Sequence, residues 1–394
     1  LRLQVRLRKP ILICVQNARL PLFQNRSTPI TATAPVDSSR DNHFQFLRLL
    51  FATLVIFAHS FELIDGNRKR EPLTAIFGTL TLAEVAVIGF FILSGYLIVQ
   101  SWQRSASVFD FLKKRVLRIY PAYVVAFFVS VLIVGRLGAG ENYFAQLNLW
   151  KIFTDAITLT MPRTPPVFDG TYYPLVNGAM WTIVYEFRCY LLVAVLGVLG
   201  AFKKPQWWLA LTIAATAFTA LSFYASRSDV EALHFPGAQF LIGSNTEFSR
   251  LLACFGAGGC YYLFRDKICY HRRWALEALA VTAMALFYFP AIYPAIALAG
   301  AYCLFAFAFT PIKILDRFKT KTDISYGIYL YGWPTQKLLL WYFPLLSPLV
   351  LFGGAFAISI ACGWLSWKII EAPFLRLKKA RFLPAQKMCA AISE

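Results

Sequence analysis

Arg48 and His59 stand eleven residues apart in an otherwise apolar stretch, Phe44 to Leu63. In an α-helix, eleven steps of about 100° return a side chain to within about 20° of its starting direction, so the two share a face. The rise between them is about 16 Å, roughly half the hydrocarbon thickness of a bilayer. An imidazole can take a proton from a hydroxyl near neutral pH. A guanidinium can hold a phosphate or a carboxylate. The plainer readings are a histidine bonded to a neighbouring helix and an arginine snorkelling to the membrane edge. Ser60 has a nucleophile's hydroxyl, but serines are common at helix contacts in membranes.

Other residues add to this pair. Arg115 and Arg118, at i,i+3, put two guanidinium groups on one side of a helix, where they can grip a polyphosphate or simply fix topology. Glu186 lies inside an apolar run and needs a proton or a cationic partner. Arg188 is two residues on and faces elsewhere, whereas an imidazole from another helix would serve. Glu84 is a weaker candidate of the same kind. Ser94 and Gly95 set two small residues among large ones, allowing a neighbouring helix or an acyl chain to approach closely. The eight cysteines show no metal-like spacing and read as packing residues. No metal site is expected.

The elements that position these groups are membrane helices. The 394 residues are 58% hydrophobic and only 15% charged, with a mean hydropathy of +0.56, too apolar for a soluble globular chain. Apolar runs long enough to span number about ten. They are 44–63, 80–100, 120–134, 176–199, 207–224, 248–264, two within 274–309 divided near Pro290 to Pro294, 325–343 and 349–370. The stretch 143–159 is amphipathic and is expected on the membrane surface or as a re-entrant segment. With the N-terminus in the cytosol, most of the 39 basic residues fall in inside loops, which predicts both termini cytoplasmic. The net charge of +19 is thereby topology, with some attraction to anionic headgroups, and no nucleic-acid partner is implied.

Six motifs in order resemble the acyltransferase family 3 of integral-membrane O-acyltransferases. Phe46-Leu47-Arg48 with His59 looks like its opening signature of a basic residue, ten residues and a histidine. Phe90 to Ile98, containing Ser94-Gly95, is similar to its second-helix motif. Arg115-x-x-Arg118-Ile119-Tyr120-Pro121 looks like its R-x-x-R motif. Asn177-Gly178 with Trp181-Thr182 and Glu186 resembles its mid-chain tryptophan and glutamate block. Ser325-Tyr326-Gly327-Ile328-Tyr329-Leu330 and Ile370-Glu371-Ala372-Pro373 look like its closing elements. Two positions depart from the pattern: Gln45, where relatives often carry an acid, and Gly332, where many carry a histidine before the Trp333-Pro334 pair.

The resemblance implies an all-α integral membrane enzyme that transfers an acyl group, usually acetyl, from cytosolic acetyl-CoA to a hydroxyl of an extracytoplasmic or lipid-linked glycan. Arg48, Arg115 and Arg118 would hold the CoA phosphates. His59 would be the base or a transient acyl carrier, with Glu186 orienting it or binding sugar. Ser94, Gly95, Asn177, Trp181, Ser325 and Tyr326 would line the substrate path or brace it. Acyl-CoA enters as donor substrate, with no permanently bound cofactor, and the setting is a bacterial inner membrane. The expected layout is a basic, disordered extension over 1–40 (or an over-extended reading frame), the membrane domain over 41–375 and a cytoplasmic tail over 376–394, without a fused soluble domain. The competing class is a transporter or flippase for a glycan or lipid-linked precursor. It predicts internal repeats with paired broken helices, and no convincing repeat is found.

Overall fold

The computed structural model describes residues 42–225, 229–230, 242–320 and 322–377. The extension over 1–40 and nearly all of the tail over 376–394 lie outside these. The described residues are helical, without a strand. In chain order the principal helices are α1 (Phe44–Asp65), α2 (Leu82–Gln103), α3 (Val108–Leu137), α4 (Leu149–Thr158), α5 (Gly178–Val198) and α6 (Pro205–Ser222). They continue with α7 (Asn245–Leu263), α8 (Arg272–Ala285), α9 (Phe289–Phe309), α10 (Ser325–Tyr342) and α11 (Pro348–Arg376).

Every apolar run read from the sequence falls on a helix, but the break within 274–309 lies at 286–288, ahead of the expected Pro290 to Pro294 turn, and Pro294 stands inside α9. Six of these helices, α1, α2, α3, α5, α9 and α11, are long and apolar enough to cross a membrane. The other four are shorter or are diluted by polar, aromatic and glycine residues, as with Asn245, Glu247 and Arg250 in α7. The amphipathic stretch becomes α4, which tucks in Ile152 and Asp155 and turns Leu149, Trp150, Phe153 and Ile157 outward.

Local chemistry sets the ends. Thr81 and Glu84 form a capping box at the start of α2, so Glu84 serves first as a helix cap. Ser107 and Ser244 cap α3 and α7, and prolines occupy the first turns of α6 and α11. The predicted start of the third span at Tyr120 is corrected to Val108. The basic segment that reads as a loop in hydropathy continues the helix, so Arg115 and Arg118 sit on the spanning element itself.

α2 runs through the middle of the bundle and crosses α7 at very short range. A Cβ added to Gly95 would lie 1.9 Å from the Phe255 carbonyl oxygen, and one added to Gly258 would lie 1.9 Å from that of Ile92. Reciprocal glycines thus bring the backbones into contact, and Gly95 is a packing residue here. α1 packs against α2, α10 and α11, with Ala52, Val55 and Ile56 buried between its two polar ends.

Candidate active site

Arg48, Arg115 and Arg118 converge on one cavity of about 140 Å³. Its other polar lining comes from Ser94, Thr182, Glu186, Tyr190, Ser325, Tyr326 and Tyr329, and its walls from Phe90, Phe91, Leu97 and Ile183. α1, α2, α3, α5 and α10 therefore meet at the arginine end of the bundle.

The three arginines differ in their partners. Asp323, just before α10, accepts an ion pair from Arg48 at 3.1 Å and another from Arg118 at 2.9 Å. Arg118 also reaches Glu371, a buried carboxylate in α11, at 3.1 Å. Burial alone would raise the Asp323 carboxyl, but Arg48 and Arg118, helped by bonds from Ser325, hold it at about 2. Ser325 is thus fixed by donating its hydroxyl to Asp323 at 2.5 Å, and the Tyr326 ring lies under the Arg118 guanidinium at 5.8 Å. Arg115 forms no ion pair among the described residues. It donates to Ser101 Oγ at 3.2 Å and lies near the rings of Phe111 and Tyr190. It is the arginine with charge to spare.

Glu186 belongs to this end. Its carboxylate accepts hydrogen bonds from Ser94 at 2.9 Å and from Tyr190 at 2.5 Å. The expectation that it orients His59 is not met by any contact. Along α5 the level of His59 is marked by Gly178, whose position is covered by Trp333, the ring that packs on the imidazole. Glu186 lies eight residues further along, about 12 Å of helical rise away.

His59 is half-buried, with its ring edge-to-face on Trp333 at 4.9 Å and its Nδ1 buried without a hydrogen-bond partner. Trp333 is held by its Nε1 donating to Leu175 O at 3.3 Å and by the Tyr173 ring at 6.0 Å. Tyr173 in turn donates to Glu62 at 2.5 Å, and Arg68 reaches Glu84 at 2.9 Å. Ser60 is not free to be a nucleophile in this arrangement. Its hydroxyl donates to Ile56 O at 2.8 Å and accepts from Gln336 at 2.7 Å. At Gly332 the missing histidine is replaced by close packing, since a Cβ there would lie 2.7 Å from Ile56.

His59 does not line the arginine cavity. The cavity ends at Tyr329 and Thr182, whose hydroxyls are 2.7 Å apart, with Tyr329 also donating to Ala179 O at 2.5 Å. Phe90 packs on Tyr329 from α2 at 5.9 Å. Trp333 is the next turn of α10, so about 6 Å of helix separates the cavity's end from the histidine's neighbour. Asn177 supports this junction. Pro334 has no N–H to give the Leu330 carbonyl, and Asn177 Nδ2 donates to it instead at 2.9 Å. Trp181 lies further along α5 under the Arg250 guanidinium, at 5.5 Å.

Residues 42–368 match a family described as an Acyltransferase domain, which is most of the chain. The chain belongs to acyltransferase family 3. An O-acetyl transferase of Shigella phage Sf6 is 25% identical over 347 residues, spanning 85% of this chain and 96% of its own length. Nodulation protein 10 of Rhizobium leguminosarum bv. viciae is 27% identical over 395 residues, spanning 90% and 98%. Acyltransferase MdmB of Streptomyces mycarofaciens is 28% identical over 194 residues, about half of each chain. No solved structure matches.

In this multi-pass membrane acyltransferase, sequence reasoning missed Asp323, Tyr190 and Tyr329 as members of the site. Tyr190 had a signal, being four residues from Glu186 and so on the same helix face. Asp323 and Tyr329 flank or fall within the quoted Ser325 motif, yet nothing in their spacing tells that one binds two arginines and the other closes a cavity.

Proposed function

We propose that this acyltransferase moves an acetyl group from acyl-CoA to a hydroxyl of an extracytoplasmic or lipid-linked glycan, as an O-acetyltransferase of a bacterial inner membrane with both termini in the cytosol. The observation that carries this reading is the cavity at the arginine end. It combines a guanidinium that forms no ion pair among the described residues, Arg115, with an apolar interior suited to a pantetheine arm. Relatives named O-acetyl transferase and acyltransferase support the same chemistry.

In this reading, Arg115 takes a CoA phosphate by charge-assisted hydrogen bonds, and Arg48 and Arg118, held in place by Asp323 and Glu371, complete the positive field. The charged end of CoA stays at the arginine end while the thioester moves toward His59. The acceptor oxygen attacks the thioester carbonyl as His59 takes its proton, and the carbon–sulfur bond then breaks as His59 gives that proton to the sulfur, so CoA leaves as the thiol. A transient acyl-imidazole on His59 is the two-step form of the same transfer. The layer of Phe90, Thr182 and Tyr329 must part for the thioester to pass. Glu186 holds Ser94 and Tyr190 along the route.

Mass spectrometry of glycans from cells carrying His59→Ala, at matched protein level, tests the assignment. Loss of acetylation is expected, and undiminished acetylation overturns the role of His59. Arg115→Ala should raise the requirement for acyl-CoA, and an unchanged donor dependence removes that arginine from the donor site.

A further inference from the structure

A second cavity, of about 540 Å³, opens at the corner between α5 and α6. Lys203, Lys204, Trp207, Trp208, Leu199 and Leu211 are among its lining residues. Both lysines are exposed, and no Asp or Glu occurs in the sequence between Glu186 and Asp229. Neither lysine forms an ion pair among the described residues. Lys204 is also the residue before α6, whose first turn has no side-chain cap, so the helix adds its positive end to the same place. Trp207 is 64% exposed and Leu199 74%, whereas Trp208 is buried and tied by its Nε1 to Gly256 O at 2.9 Å. The cavity thus has a fixed aromatic wall, two unneutralised cations at its rim and an apolar apron facing outward.

We propose that this corner binds one anionic phospholipid. Its phosphate would sit between Lys203 and Lys204, and its acyl chains would run along Leu199, Trp207 and Leu211. Basic pockets between membrane helices recognise anionic headgroups in this way. A zwitterionic lipid brings its own cation to the lysines and gains little there. A soluble anion cannot use the leucines or the exposed indole. The site lies at the arginine end, since a Cβ on Gly197 would meet Trp102, the neighbour of the Ser101 that bonds Arg115. Binding requires no acyl transfer, so the proposal stands or falls apart from the reaction.

Native mass spectrometry of the full chain in detergent, titrated with phosphatidylglycerol, phosphatidylcholine or inorganic phosphate, tests it. One phosphatidylglycerol should be retained in preference to phosphatidylcholine, and rising sodium chloride should release it selectively. Lys203→Gln with Lys204→Gln should weaken its retention by roughly thirtyfold, the loss expected for two basic residues near a membrane surface. Equal retention of phosphatidylcholine, or retention indifferent to salt, overturns the proposal without any variant. So does displacement of the lipid by inorganic phosphate, which would make this a free-phosphate site, or unchanged retention in the double variant.

Discussion

The two ends of α1 are built on opposite principles. At the arginine end, charge is concentrated and largely neutralised in advance. Asp323 binds Arg48 and Arg118, Glu371 takes a second nitrogen of Arg118, and Arg115 alone is held by a hydroxyl and aromatic rings. At the histidine end the candidate base is set in packed surroundings, with Trp333 on the imidazole and the neighbouring Ser60 tied to Gln336. In the proposed function the first end would hold an anion and the second would serve proton transfer. Among the described residues no open passage joins them, because Tyr329, Thr182 and Phe90 lie between. The difference suggests that binding and chemistry can be damaged separately.

Four variants sharpen or break that division. His59→Ala should cut transfer by about 10²–10⁴, the usual contribution of a positioned acid or base, while leaving acyl-CoA affinity unchanged. Parallel measurement of glycan acetylation and donor binding distinguishes this from a collapse of the fold. Arg115→Ala should raise the KM for acyl-CoA by roughly 10- to 100-fold, the range of one hydrogen bond to a charged group, with a smaller change in kcat. A fall confined to kcat would move Arg115 from binding to chemistry.

Gly332→Ala places a methyl group 2.7 Å from Ile56 beside His59. Thermal unfolding should show a loss of about 1–3 kcal/mol from overpacking, and transfer should fall while donor affinity holds. Asp323→Asn should have the smallest effect, about 1–2 kcal/mol after allowing for the partial exposure of the ion pairs. Because the Asp323 carboxyl is held at about 2 when folded, below its ordinary value of 3.8, it stabilises the protein above about pH 4. That contribution fades as pH falls toward 2, so the stability gap between parent and variant should be constant near neutrality and close on acidification. A gap that widens there would contradict the ion-pair geometry.

Much of this was legible in the sequence for a physical reason. Sustained apolarity marks helices, so the apolar runs fall on helices, six of them long and apolar enough to cross a membrane, and eleven-residue spacing places Arg48 and His59 on one stripe of α1. Helix ends were less legible, because hydropathy cannot follow an amphipathic start. Val108 to Ile119 therefore fell outside the apolar span drawn from Tyr120, although Ser107 caps a continuous helix. Partners across helices were the least legible. Glu186 needed a polar neighbour, but only packing shows that it is Ser94 and Tyr190. The pairing of Asp323 with two arginines depends on three elements far apart in the chain. The closure at Tyr329 is likewise a property of the assembled bundle.

The central claim is that the donor is bound at one end and acyl transfer is completed at the other. Acyl-CoA binding by isothermal titration to purified His59→Ala and Arg115→Ala, beside the parent, tests it most directly. The account predicts parent-like affinity in His59→Ala, despite its loss of transfer by about 10²–10⁴, and weakened affinity in Arg115→Ala. Weakened binding in His59→Ala together with unchanged binding in Arg115→Ala would contradict it.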